Sequence, residues 1–173
     1  SRRQRQMCIE TASLYTLADV INAGCRDGEL DVRGISHRGY FASITDFKSY
    51  HDANMDLIDY KTATDLFHDN WPIYTRTNNS CPTHYFDTAN VSNSVISNGS
   101  MIEGTVENSI VGRGCTIKKG AVIKNCVVLA DCTIGENVHI ENLVVDKHAK
   151  ITHAKEIIRP ADEPGYIKRN DTL

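Results

Sequence analysis

Val106-Glu107-Asn108-Ser109-Ile110-Val111 returns as Ile123-Lys124-Asn125-Cys126-Val127-Val128, and again as Ile140-Glu141-Asn142-Leu143-Val144-Val145. The step from position 106 to 123 equals the step from 123 to 140, seventeen places each time. The same step carries Cys115 to Cys132 to Ala149, and Ile117 to Ile134 to Ile151. An earlier copy, Val91-Ser92-Asn93-Ser94-Val95-Ile96, starts only fifteen places before the first, as though two residues were missing from one corner. Self-similarity at a fixed period of roughly 20 residues marks a solenoid. Within each unit an aliphatic residue recurs about every sixth position, with a small or aliphatic residue four later: Ile117/Ala121, Ile123/Val127, Ile134/Val138 and Ile140/Val144. One coil of three short strands fits this spacing. The expected fold is therefore mainly β, a parallel β-helix of hexapeptide repeats over residues 91–154.

The repeat also explains residues that invite a chemical reading. Asn93, Asn108, Asn125 and Asn142 hold one position of the unit. A ligand-binding stripe is one reading. The structural one is stronger, because asparagine tolerates left-handed backbone at a corner and its amides can stack from rung to rung. Cys8, Cys25, Cys81, Cys115, Cys126 and Cys132 contain no C-x-x-C pair, so a zinc site is not indicated. Cys115 and Cys132 occupy equivalent places on successive coils, where small apolar side chains suit an interior. Buried free thiols imply a reducing compartment, and the expected location is cytoplasmic.

Composition narrows the function classes. The chain of 173 residues is 40% hydrophobic and 24% charged, with a net charge of −3. It shows no basic excess to favour a nucleic-acid partner. No apolar run approaches the roughly 20 residues of a membrane span. The start, Ser1-Arg2-Arg3-Gln4-Arg5-Gln6, is basic but lacks the apolar stretch of a signal peptide. It also lacks a starting Met, which leads to the expectation of a piece of a longer chain.

Ahead of the repeat, residues 1–75 read as an α/β segment. Residues 7–11 suit a strand. A helix capped by Ser13 comes next, with Leu14, Leu17, Ala18 and Ile21 on one face, ended by Gly24 or Gly28. Residues 37–44 suit a second strand. A second helix is expected from a Thr45 cap, with Phe47, Tyr50, Asn54 and Leu57 on one side, then a helical turn over 62–67. Pro72 makes residues 71–75 extended. Residues 76–90 are expected to be a linker. Two strands and two helices make an incomplete core with open edges, so the segment is expected to join further strands lying upstream. No Gly-rich phosphate loop is present. The tail, residues 155–173, carries Pro160 and Pro164 and is expected to fold back as a cap over the last coil.

The order of segments resembles a family. Residues 39–57, Gly-Tyr-Phe-Ala-Ser-Ile-Thr-Asp-Phe-Lys-Ser-Tyr-His-Asp-Ala-Asn-Met-Asp-Leu, then Trp71-Pro72-Ile73-Tyr74-Thr75, then the Val-Glu-Asn-Ser-Ile-Val coils, are similar to bacterial glucose-1-phosphate adenylyltransferase (ADP-glucose pyrophosphorylase). The resemblance covers about residues 7–173. It implies a left-handed parallel β-helix placed after the remnant of an α/β nucleotidyltransferase domain. It also implies a place in an enzyme that makes ADP-glucose and pyrophosphate from ATP and glucose 1-phosphate for glycogen biosynthesis. Two departures stand out. The family's Gly-rich nucleotide-binding segment is absent. In catalytic subunits the stretch after the Tyr reads Tyr-Trp-Arg-Asp-Val-Gly-Thr, and an ungapped match places Ala42 at the Arg and Ser43 at the Asp. That Asp helps to hold the metal in catalytic members. A neutral hydroxyl does not replace a carboxylate as an Mg²⁺ ligand, and phosphoryl transfer depends on that charge neutralisation.

The resemblance thus implies a non-catalytic, regulatory subunit, with no catalytic residue and no metal or other cofactor in this chain. Mg²⁺ would belong to a catalytic partner subunit, reached through the β-helix, with self-association as the other use of that surface. Arg113, Lys118, Lys119 and Lys124 are a candidate site for a sugar-phosphate effector; a solvated charged surface is the alternative. Trp71, Ile73 and Tyr74 are expected to pack at the junction between the two segments. His139 is a candidate base if the β-helix belongs instead to an acyltransferase-like enzyme, but its repeat equivalents Thr105 and Val122 suggest an outward side chain. A truncated catalytic subunit is the remaining alternative, and Ser43 argues against it. His148 and His153 could form a metal pair only with a third ligand, which the sequence does not supply.

Overall fold

A computed structural model describes residues 16–67, 72–74 and 79–173. The chain divides into two units, residues 1–38 and 39–173. In the first, helix α1 spans Leu17–Arg26. Thr16 caps it through a reciprocal pair: its hydroxyl accepts from the Asp19 N–H, and the Asp19 carboxylate accepts from the Thr16 N–H. Gly28, at φ +75°, turns the chain out of the helix. No residue of α1 is buried. The expected cap Ser13 lies outside the described residues, as do the strand at 7–11 and Cys8.

The second unit opens without the strand expected at 37–44; among the described residues no strand precedes residue 84. A strand needs a partner for its backbone groups, and among the described residues no strand pairs with this stretch. Instead Tyr40 donates from its hydroxyl to the Asp56 carboxylate at 3.0 Å and fastens the stretch to the helical segment after it. Helix α2 spans Phe47–Met55, capped by Asp46 rather than Thr45, with the Asp46 carboxylate and the Ser49 hydroxyl each receiving the other's backbone N–H. Accepting the Ser49 N–H and hydroxyl lowers the pKa of the Asp46 carboxyl. A 3₁₀ turn at Asp56–Ile58 leads into helix α3, Tyr60–Leu66, close to the expected helical turn.

From residue 84 the chain winds as a parallel β-solenoid of fifteen strands in three sheets of five. The first coil holds β1 (His84–Tyr85), β2 (Asn90–Ser92) and β3 (Val95–Ile96). Next come β4 (Met101–Ile102), β5 (Thr105–Glu107) and β6 (Ile110–Val111), then β7 (Thr116–Ile117), β8 (Val122–Lys124) and β9 (Val127–Val128). The last two coils are β10 (Thr133–Ile134), β11 (His139–Glu141) and β12 (Leu143–Val145), then β13 (Lys150–Ile151), β14 (Glu156–Ile158) and β15 (Gly165–Ile167). Every third strand stacks, so β1-β4-β7-β10-β13 form one sheet, β2-β5-β8-β11-β14 the second and β3-β6-β9-β12-β15 the third. The seventeen-place step is the register itself: Val106 faces Ile123, which faces Ile140. The missing pair of residues lies between β4 and β5, where Met101 to Thr105 takes four steps and Thr116 to Val122 takes six. Gly104 sits in that shortened corner, where a Cβ would come within 2.5 Å of the Ala121 carbonyl oxygen. This corner can therefore be short only with glycine.

The interior is a stack of aliphatic ladders. Ile102, Ile117, Ile134 and Ile151 line the first sheet; Val106, Ile123 and Ile140 the second; Val111, Val128, Val145 and Ile167 the third. Each buried side chain contributes about 1.5–3 kcal/mol by leaving water. Cys115, Cys126 and Cys132 fill small interior places as free thiols. Burial pushes the Cys126 thiol up to about 12, and contact with Cys132 together with burial raises Cys115. The thiolate is the reactive form. Contact with Cys115 lowers the pKa of the Cys132 thiol, but Cys132 is only 1% exposed and out of a reagent's reach, so brief alkylation of the native chain should modify the exposed Cys25 and Cys81 and spare Cys115, Cys126 and Cys132 until denaturant is added. Peptide mapping by mass spectrometry reads this directly, and rapid native labelling of any of the three would contradict the burial.

Both expected boundaries of the solenoid need correction. Residues 76–90 are not wholly a linker, because β1 lies within them and pairs with β4. The tail does not fold back as a separate cap: Glu156, Ile157 and Ile158 continue the seventeen-place step opposite His139, Ile140 and Glu141. Only then does the step change. Leu143 pairs with Gly165, a step of twenty-two, because five extra residues enter between β14 and β15, in the stretch that carries both prolines. Lys150 bridges to Thr172 at the same longer step. The tail closes the solenoid by becoming its last turn.

Candidate functional site

The outer faces of the three sheets differ in chemistry. On the third sheet, Val95, Ile110, Val127, Val144 and Tyr166 form an outward ladder in register. Val127 and Val144 are nevertheless only 1% and 2% exposed and do not belong to the interior cluster. Helix α2 covers them. Phe47 meets Tyr166 edge to face at 5.7 Å between ring centroids. His51, buried, sends Nε2 to the Asn125 carbonyl oxygen at 2.9 Å. A carbonyl only accepts, so Nε2 carries the proton. Val127 and Val144 thus face outward, although the four-residue offset from Ile123 and Ile140 reads as two interior positions. The signal missed in the sequence was His51, whose partner lies 74 residues away.

The second sheet is lined with charge. Glu107, Lys124 and Glu141 stand on successive rungs, and the Lys124 ammonium meets the Glu107 carboxylate at 3.1 Å. His139 lies on the outer face of the same sheet, 3.8 Å from Glu141 and 3.7 Å from Glu156. It is an outward residue between two carboxylates, as its repeat equivalents indicated. Asn93 donates to Asn108 at 2.8 Å and Asn108 to Asn125 at 2.7 Å, while Asn142 donates to the Arg159 carbonyl oxygen at 2.6 Å. All four asparagines have φ between +41° and +56°. The asparagine column is a corner device, as expected.

The four cations of the candidate effector site are not brought together. Arg113 lies at the corner before β7, Lys118 and Lys119 at the corner after it, and Lys124 ends β8. These are two different corners of the winding and one strand of the second sheet. Lys119 shares an open groove with Glu103 and Glu136, and Lys124 is engaged by Glu107. Ser43 is exposed, in the irregular stretch ahead of α2. Ile73 and Tyr74 are 50% and 92% exposed, contrary to the expected junction packing, and Trp71 lies outside the described residues.

A different group of polar side chains does converge. Asp131, His148 and Asn170 occupy one corner column, each with φ near +60°. With Lys150, Arg169 and Thr172 they line a groove of about 640 Å³ on the last two coils. The Asp131 carboxylate lies 3.7 Å from His148 Nδ1. His148 does not gather a metal set with His153: among the described residues no group of three or more His, Cys, Asp or Glu side chains could hold a metal ion. No helix among them is long and apolar enough to cross a membrane.

Residues 82–163 match the GlmU-like C-terminal hexapeptide model, the same span that forms most of the solenoid. A glucose-1-phosphate adenylyltransferase of Geobacillus stearothermophilus is 42% identical over 86 residues, half of this chain and 22% of that protein. The glycogen biosynthesis protein GlgD of Bacillus subtilis (strain 168) is 38% identical over 133 residues, 77% of this chain and 39% of that protein. The chain is a relative of the glucose-1-phosphate adenylyltransferases and of GlgD. A glucose-1-phosphate adenylyltransferase of Bacillus mycoides (strain KBAB4) is 36% identical over 122 residues, 70% of this chain and 32% of that protein. The chain therefore spans less than two fifths of the length of each of these relatives. The match to GlgD is longer than the solenoid, so the similarity extends beyond the hexapeptide repeat.

Proposed function

We propose that this chain is part of a subunit of a glucose-1-phosphate adenylyltransferase assembly in glycogen biosynthesis, with a role in assembly and regulation rather than catalysis. The assembly converts ATP and glucose 1-phosphate to ADP-glucose and pyrophosphate; Mg²⁺ and the catalytic carboxylates are supplied by a partner subunit. The observation that carries the reading is the similarity to GlgD over 77% of the chain. The neutral Ser43 supports it, standing where the family resemblance places a metal-binding Asp in catalytic subunits. The solenoid also supports it, carrying apolar side chains such as Val95 and Tyr166 on its surface.

Two measurements test this. The chain should co-purify with a catalytic glucose-1-phosphate adenylyltransferase subunit of its own organism when the two are produced together. Recovery of none would count against the assembly role. Any longer natural form containing this chain should make no ADP-glucose by itself but should change the effector response of the catalytic subunit. Vigorous synthesis by that form alone would overturn the non-catalytic reading.

A further inference from the structure

A long stretch of chain lies on the solenoid with little of it buried. From residue 39 to residue 67 His51 is the one buried residue. The 3₁₀ turn at Asp56–Ile58 and helix α3 bury none. We propose that residues 39–67 are a strap that opens and closes over the outer face of the third sheet, with α2 as its clasp, while the solenoid beneath stays folded.

The clasp has two points of hold. Phe47 and His51, four places apart, lie on one face of α2. Phe47 meets the Tyr166 ring on the last turn, and His51 meets the corner at Asn125. Tyr166 is itself fixed, its hydroxyl donating to the Asp146 carboxylate at 2.7 Å. Between the two points α2 covers Val127 and Val144. The remaining polar ties run within the strap: Tyr40 to Asp56, Ser49 to Asp46 and Thr62 to Asp59. They shape it without fastening it to the solenoid.

A segment with few buried apolar contacts opens locally at a small fraction of the free energy of global unfolding. Val127 and Val144 lie outside the interior cluster, so baring them leaves Ile123, Val128, Ile140 and Val145 packed. Helix α2 has nine residues, and isolated helices shorter than about 12–15 residues are marginal in water. Undocking α2 and melting it are therefore one event. Opening changes what the surface presents. Val127 and Val144 then join Val95 and Ile110, already partly exposed, in one apolar ladder on successive rungs of the third sheet. The closed strap hides half of that ladder.

Hydrogen exchange of the 173-residue chain, read by mass spectrometry, tests the strap. Amides of residues 47–55 should exchange at least about tenfold faster than those of residues 122–128. Phe47→Ala should speed exchange over 47–55 by about tenfold more and leave 122–128 unchanged. Alanine is the better helix former, so faster exchange there reports lost docking and not a weaker helix. Tyr60→Ala, at an exposed position of α3, should change neither region. A second readout uses Val144→Cys, which places a thiol beneath α2. Its alkylation should be slow, and about tenfold faster once Phe47→Ala is added, with Cys126 unlabelled in both. Equal protection of 47–55 and 122–128, lost together in Phe47→Ala, would make α2 an integral part of the solenoid and overturn the proposal. Labelling at position 144 only together with Cys126 would overturn it in the same way. Labelling there as fast as at the exposed Cys25 would also overturn it, because no strap would then be closed.

Discussion

Ile123→Asp should abolish cooperative folding of the solenoid. Ile123 is 0% exposed, on the middle strand of its sheet, with Val106 on the rung before and Ile140 on the rung after. Neither neighbour offers a hydrogen bond to a carboxylate. An unpaired buried carboxylate costs at least several kcal/mol even after relaxation. A whole domain is stable by only about 5–15 kcal/mol. A solenoid is coupled through its nearest-neighbour interfaces, so damage at a central rung also separates the coils on either side. Ile123→Val, which removes one methyl group and adds no charge, should cost about 0.5–1.5 kcal/mol. Urea unfolding monitored by circular dichroism separates the outcomes. The Val variant should shift the midpoint of a cooperative transition, and the Asp variant should have no such transition. A folded Asp variant with a small midpoint shift would mean that water reaches position 123, contrary to the closed interior.

The solenoid was legible because its register is a sequence property. Parallel strands stacked without offset put residue 106 against 123 and 123 against 140, so the interior prints itself as a period. The ends were less legible for the same reason. Tyr85 stands on the first rung where later rungs carry Ile102, Ile117, Ile134 and Ile151, so β1 lacks the aliphatic mark. Five extra residues between β14 and β15 lengthen the step from seventeen to twenty-two and hide the last turn. The strand expected at 37–44 failed because alternation cannot show whether a neighbouring strand exists. Sites obey the opposite rule. Arg113, Lys118 and Lys124 are close in sequence, but the winding reaches a new corner every few residues, so proximity along the chain disperses them. Asp131, His148 and Asn170 look unrelated in sequence and meet because whole turns separate them, one step of seventeen and one of twenty-two. The docking of α2 through His51 depends on a contact over 74 residues, which no local pattern signals.

The asparagine column gives the second large effect, and its two physical contributions can be pulled apart at Asn125. The backbone there has φ +49°, and the side-chain oxygen accepts from the Asn108 amide at 2.7 Å. Asn125→Ala removes that hydrogen bond, worth about 0.5–1.5 kcal/mol net. It also places a Cβ-bearing residue without asparagine's local compensation in left-handed backbone, at a cost of about 1–2 kcal/mol. The expected destabilisation is therefore about 1.5–3.5 kcal/mol. Asn125→Gly loses the same hydrogen bond but adopts the backbone freely. Its penalty is instead the greater freedom of the unfolded chain, about 0.4–1 kcal/mol. Glycine should thus be the milder substitution, although it removes more atoms. Neither change removes the Asn125 carbonyl oxygen that receives His51, so α2 should stay docked in both and the effect should be confined to the corner. Chemical denaturation of the three proteins gives the order: Asn most stable, then Gly, then Ala. If Ala proved as stable as Gly, the left-handed corner would not be what selects asparagine, and the amide ladder alone would have to account for the repeat.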